Sequence, residues 1–198
     1  MPSLPEALRA ATLELHRRAE RAGVMGELLR GRLARERYVA LLRNLHGLYS
    51  ALEARELPVA SLGRTEALAE DLAALHGAGW AQAHRLCEAA GEYVTRLATA
   101  DAPALAAHTY VRYLGDVHGG QILAPLVRRL YGLQDRPGTS FYHFGPEALL
   151  ARQRTTLRSK LAELTYSAQE IERASDEACW AFEQHIRMFE ELLAPVRP

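Results

Sequence analysis

The 198-residue chain has few β-branched aliphatic residues: three isoleucines and eight valines, against 34 alanines and 32 leucines. A sheet-based core is therefore a poor fit, and an all-α protein is the expected fold class. Lysine is nearly absent, with Lys160 alone beside 23 arginines, and neither sign of charge is in excess, at 24 basic and 24 acidic residues. That balance argues against nucleic-acid binding and against adsorption to an acidic membrane surface. No stretch approaches the roughly 20 apolar residues that cross a bilayer. The start, Met1-Pro-Ser-Leu-Pro-Glu6, carries an acid and no apolar run, so it does not read as a secretory signal. The tail, Leu192 to Pro198, is too short for an anchor. The two cysteines, Cys87 and Cys179, form neither a CxxC pair nor a zinc spacing. Each sits in an apolar helical context and reads as a buried free thiol in a reducing, cytoplasmic setting.

What is present is one helix signal after another, with no linker or repeat, so residues 1–198 read as a single domain. Ser3-Leu-Pro-Glu6 is a capping box that opens a first helix, expected to stop near Gly23, with an apolar stripe of Leu4, Leu8, Ala11, Leu15, Ala19 and Ala22. A second helix is predicted over Ala34–Glu56, ended by Pro58, and shorter ones over Thr65–His76 and Ala81–Ala100. Asp101 caps a helix that runs through Tyr110 and Leu114, meets Gly115, Gly119 and Gly120, and resumes toward Leu130. After a loop over Gly132–Gly145, Pro146 starts a helix to about Leu164. Ser167-Ala-Gln-Glu170 is a second capping box, opening a last helix to about Leu193. The expected total is about seven helices.

Three features carry chemical information. Among eight histidines there is no HExxH, no Glu-x-x-His and no pair three or four apart, so a metal cage within one helix is disfavoured. A single axial imidazole remains open, and His16 suits it: it lies at the stripe edge, and Glu20, one turn on, could accept its Nδ1–H. The same spacing also fits a plain surface pair. Next, three glycines inside a helix cost roughly 3 kcal/mol relative to alanine. Gly115 and Gly119 share a face, which suits either a tight helix crossing or the close approach of a flat ligand. Asp116 beside that bare face calls for a partner such as Arg112, or for ordered water. Last, Arg152, Arg154, Arg158 and Lys160 make a basic face that is either solvated or able to grip carboxylates.

The segment Tyr110-Val-Arg-Tyr-Leu-Gly-Asp-Val-His-Gly-Gly-Gln121 resembles the distal-helix signature of haem oxygenases, YLGD followed after two residues by GGQ. Leu8 to Glu20 resembles that family's proximal helix, and Ala181-Phe182 with Met188 to Leu192 resembles its end. The resemblance implies an all-helical bundle with haem, both cofactor and substrate, between the first helix and the glycine-bearing one. By position it makes His16 the iron ligand and Glu20 its partner, with Gly115 and Gly119 over the haem and Gly120 letting the helix bend. It gives Asp116 a distal water network extended by Tyr49 and Arg112, assigns Arg9, Tyr110, Arg154 and Arg158 to the propionates, and lines the pocket with Phe182 and Phe189. It further implies dioxygen, an electron-donating reductase or ferredoxin, a biliverdin-accepting protein, and biliverdin, carbon monoxide and ferrous iron as products. His118 and His185 depart from the family pattern. His118, two residues from Asp116, is expected to point away from it and not to bind iron. Two other readings stay open: a haem carrier or sensor made six-coordinate by His118, and the same fold binding a thiamine-like molecule.

Overall fold

The computed structural model describes residues 2–59, 62–82 and 85–194, apart from the side chains of residues 147 and 148. The extreme tail and part of the predicted Ala81–Ala100 helix lie outside them. All regular structure among the described residues is helical: α1 (Leu4–Ala19), α2 (Gly23–Leu29), α3 (Arg35–Glu53), α4 (Thr65–His76), α5 (Glu88–Thr99), α6 (Ala102–Thr109), α7 (Gly115–Tyr131), α8 (Glu147–Glu163) and α9 (Ala168–Leu193), with short 3₁₀ turns at Ala78–Ala81 and Ser140–Tyr142.

Both capping boxes form. Glu6 accepts from the Ser3 backbone N–H at 2.8 Å, and Glu170 accepts from that of Ser167 at 2.8 Å. Asp101 caps α6 by accepting from the Ala104 N–H. α9 is the spine. Its small residues Ala174, Ala178 and Ala181 are fully buried and let α1 and α6 pack closely, while α2 and α5 lie along the same long helix. α3 packs on α4 and α5 behind it.

Several expectations need correction. α2 is an extra helix: Gly23, read as a stop, instead turns the chain at φ +38° into a new one. A Cβ there would fall 1.9 Å from the Phe189 carbonyl oxygen, so α2 reaches α9 only because residue 23 is glycine. In α1 the buried stripe runs through Thr12 rather than Ala11, the Thr12 hydroxyl donating to the Leu8 carbonyl at 2.7 Å. α3 ends at Glu53, ahead of Pro58, and that carboxylate accepts from the N–H groups of Arg64 and Thr65 at the start of α4. The predicted Ala81–Ala100 helix begins only at Glu88. Cys87 is the residue before it, and Cys179 lies in α9; both are free but partly exposed rather than buried, and burial still pushes the Cys87 thiol up to about 11.

The departure from regular winding between α6 and α7 lies at Tyr110–Leu114, a π-helical turn ahead of the glycines, and not at Gly120. Gly120 faces away from the cleft described below. A Cβ on it would sit 2.7 Å from the Tyr142 carbonyl oxygen, so its lack of a side chain serves packing, and it borders neither lobe of that cleft. The loop it packs against is pinned by buried Asp71, which accepts from the N–H groups of Gly138, Ser140 and Phe141 at 2.7–2.8 Å. Gly120→Ala is accordingly expected to destabilise the fold by about 2 kcal/mol despite alanine's better helix propensity, as measured by urea unfolding.

Candidate active site

Between α1 and α7, closed at one end by α8 and backed by α9, lies a cleft of two adjoining lobes of about 750 and 190 Å³. His16 on α1, Gly115 and His118 on α7, and Phe182 on α9 border both. Such a volume suits a ligand of cofactor size.

Gly115 and Gly119 decide what the cleft is for. A Cβ added at Gly115 meets nothing within 4 Å, and one at Gly119 touches only the end of Leu123 at 3.9 Å. No neighbouring helix needs these glycines, so the tight-crossing reading fails. A helical face kept bare at a cost of about 1 kcal/mol per glycine opens onto unfilled space, which fits a broad, flat group lying against the backbone.

Across the cleft, His16 is half-exposed and faces the opening rather than the core. Its ring stands edge-on to Phe182, with centroids 5.7 Å apart. Glu20 Oε1 lies 3.9 Å from Nδ1, within ion-pair range but beyond a hydrogen bond. The larger lobe is basic, with Arg9, Arg154 and Arg158 beside Tyr110. None of these arginines is in an ion pair among the described residues. Unpaired guanidinium groups at a cleft mouth fit a dianionic carboxylate ligand. Arg154 Nη1 donates to His118 Nδ1 at 2.9 Å, so His118 lies at the cleft rim, bound to α8 and not to Asp116.

The smaller lobe carries Asp116 and, behind it, a buried polar arm. Tyr49 donates its hydroxyl to Asp116 Oδ2. Arg112 Nη2 donates to the same oxygen at 2.8 Å, and its guanidinium lies over the Tyr49 ring, 5.1 Å from the centroid. Burial pushes the Asp116 carboxyl above its ordinary value, against the pull of Arg112 and of the Tyr49 hydrogen bond. Burial likewise drives the Tyr49 phenol well up, so it remains a donor. Tyr49 itself is wholly buried and reaches the cleft only through Asp116.

Glu20, Phe189, Arg112, Asp116 and Gly119 thus border the smaller lobe, and Arg9, Tyr110, Arg154 and Arg158 the larger. Sequence reasoning missed the apolar lip of the smaller lobe, made by Met25 and Leu29 on α2 with Ile122 on α7. Leu29 and Ile122 are exposed large hydrophobics, but that signal needs α2, which the sequence reading did not contain. Among the described residues no cluster of three or more His, Cys, Asp or Glu converges on a metal cage, and no helix is long and apolar enough to cross a membrane.

Comparison with known proteins agrees with this geometry. The family model described as Heme oxygenase matches residues 2–191. Heme oxygenase 1 of Nostoc sp. is 33% identical, over 96% of this chain and 86% of that protein. Heme oxygenase 2 of Synechocystis sp. is 36% identical, over 97% and 84%. The crystal structure of the Synechocystis heme oxygenase-2 in complex with heme and NO superposes with a TM-score of 0.90 at 35% identity, covering 96% of this chain and 85% of that one. A heme oxygenase structure from Leptospira interrogans gives a TM-score of 0.87 at 30% identity, covering 96% of this chain and all of that one. With a family model spanning nearly its whole length and relatives above 30% identity, the chain belongs to the haem oxygenase family.

Proposed function

We propose that this protein is a cytoplasmic haem oxygenase that cleaves haem to biliverdin, carbon monoxide and ferrous iron, using dioxygen and electrons from an external reductase or ferredoxin. A biliverdin-accepting protein then takes the product. The observation that carries the reading is the bare Gly115–Gly119 face, open to the cleft beside Asp116 and across from His16.

Haem supplies both the iron that activates dioxygen and the carbon skeleton that is oxidised. His16 on α1 would hold the iron, with Glu20 as the carboxylate toward its Nδ1. Arg9, Arg154 and Arg158, with the Tyr110 hydroxyl, bind the propionates and so fix how the ring is turned in the cleft. Phe182 and Phe189 pack on its apolar body. Gly115 and Gly119 would let the α7 backbone approach a flat ring closely.

Asp116, bordering the smaller lobe, would order water beside a bound haem and pass protons through it. A carboxyl raised by burial exchanges protons more readily near neutrality than an ordinary aspartate. Tyr49 and Arg112 both bind Oδ2, leaving Oδ1 without either bond. The carboxylate is thus anchored by one oxygen and keeps the other for water.

The test is to mix the purified protein with haem and ascorbate, or with a reductase, and follow the spectrum. Conversion of the haem band into a biliverdin band is expected. A haem band that persists under reductant overturns catalysis in favour of a carrier or sensor, and no haem band at all overturns haem binding. The glycines give a second check. Gly119→Ala is expected to stabilise the haem-free protein by up to about 1 kcal/mol in thermal unfolding while weakening haem binding in a spectral titration. Unchanged haem affinity would remove the ring from this face.

A further inference from the structure

The buried arm behind Asp116 ends on a residue that the reaction above does not use. His185 on α9 is 3% exposed. Its Nδ1–H donates to the Ala181 carbonyl at 2.6 Å, one turn back on the same helix, which leaves the lone pair on Nε2. Arg112 Nη1 donates to that lone pair at 2.8 Å.

Arg112 needs this acceptor. Its guanidinium is buried, one Nη binds Asp116, the other binds His185, and Nε has no partner. With Asp116 as its only charged acceptor among the described residues, His185 is the neutral one that fixes the plane and direction of the fork. The groups packed around the imidazole leave it no alternative role. From α5, Tyr93 sets its ring edge-on at 5.2 Å, with its hydroxyl given to His108 Nδ1 at 2.8 Å. From α6, His108 Nε2–H is committed to Glu177 at 3.0 Å. Tyr49 of α3 and Asp116 of α7 meet each other, with Arg112 against both. A proton added at Nε2 would point at a guanidinium N–H and set two cations against one carboxylate.

We propose that His185 is a positioning residue for haem cleavage: held as the Nδ1–H tautomer by Ala181, it locks Arg112 onto Asp116 and so keeps that carboxylate presented to the cleft. The proposal rests on the reading of the cleft as a haem-cleaving site. It also predicts how acid acts on the fold. Burial first, and then the Arg112 charge, hold the imidazole well below the ordinary histidine value. The unfolded chain takes up a proton below about pH 6.5 where the folded chain does not, so stability present above that pH is lost as pH falls.

Three measurements test this. In NMR of the ¹⁵N-labelled protein without haem, His185 should remain a neutral Nδ1–H tautomer from about pH 8 to about pH 5.5. The other tautomer, or an ordinary titration, would overturn the proposal. His185→Gln, whose amide oxygen reaches the place of Nε2 and still accepts from Arg112, should keep turnover within about threefold and lose part of the acid-side fall in melting temperature. His185→Leu, which removes the acceptor, should lower turnover about tenfold or more, with haem affinity within about twofold of the parent. Parental turnover in His185→Leu would sink the positioning role. If the parent protein itself fails to convert haem while NMR shows the fixed tautomer, the haem-cleaving reading falls and takes this role with it, but the Arg112–His185 contact stands.

Discussion

His16→Ala is expected to change the haem spectrum outright and to lower haem affinity and turnover by about 100-fold or more, since even partners of a metal ligand are worth 10- to 100-fold. Three histidines border the cleft, and their surroundings separate them. His185 is buried with both nitrogens engaged, one by Ala181 and one by Arg112. His118 takes Arg154 on Nδ1 and sits on the same helix as Gly115 and Gly119, so it cannot stand opposite their bare face. His16 stands on the facing helix, half-exposed to the cleft, with Phe182 at its edge and Glu20 toward Nδ1. Because His16 makes no core contact that the fold depends on, the variant should keep its helical circular dichroism and melting temperature. Absorption spectra of the haem-loaded variant, with biliverdin formation under ascorbate, check the assignment. An unchanged spectrum with intact turnover would remove His16 from the iron.

The features written locally were legible in the sequence. The two capping boxes, which open α1 and α9, and the Asp101 cap each depend on residues three apart, and each forms as read. The features that failed depend on distant approach. Nothing near Gly23 says that the Phe189 carbonyl will come within van der Waals distance, so a glycine that starts a helix looked like one that ends it. The glycines of α7 divide for the same reason. Gly115 and Gly119 face open space while Gly120 meets the Tyr142 backbone, and only the loop pinned by Asp71 tells them apart. The π turn at Tyr110–Leu114 has no local signature, and its extra residue shifts the phase with which α7 presents Asp116. The polar arm is the extreme case: Tyr49, Arg112, Asp116 and His185 come from four segments, and sequence gives their identities but not their single shared geometry.

The same division bears on charge. A chain with equal acids and bases carries a cleft mouth whose arginines form no ion pair among the described residues, while a buried carboxylate, Glu177, is held near 2 because His108 and Arg96 outweigh its burial. Local pairing, not the total, decides which cations are free for a ligand.

Asp116→Asn separates what the carboxylate holds from what it transfers. Tyr49 and Arg112 both donate to Oδ2, so an asparagine with its oxygen in that position keeps both bonds while its amide takes the place of Oδ1. The arm should stay assembled, at some loss of stability because Arg112 keeps a buried charge without its counter-ion. Haem binding is expected to stay within about twofold of the parent, because Asp116 borders the smaller lobe, apart from the arginines of the larger one. Biliverdin formation is expected to fall by about 100-fold or more, the scale on which a placed acid–base group acts. Asp116→Ala leaves the Tyr49 hydroxyl and Arg112 Nη2 unpaired as well, and should therefore show the larger loss of melting temperature with a similar loss of turnover. If the asparagine variant formed biliverdin at the parental rate, a proton-passing role for Asp116 would be excluded, and Tyr49 and Arg112 would be left as a structural brace for α7. A loss of turnover with the haem spectrum and helical content retained would place the defect after binding, as the proton-passing role proposed for Asp116 requires.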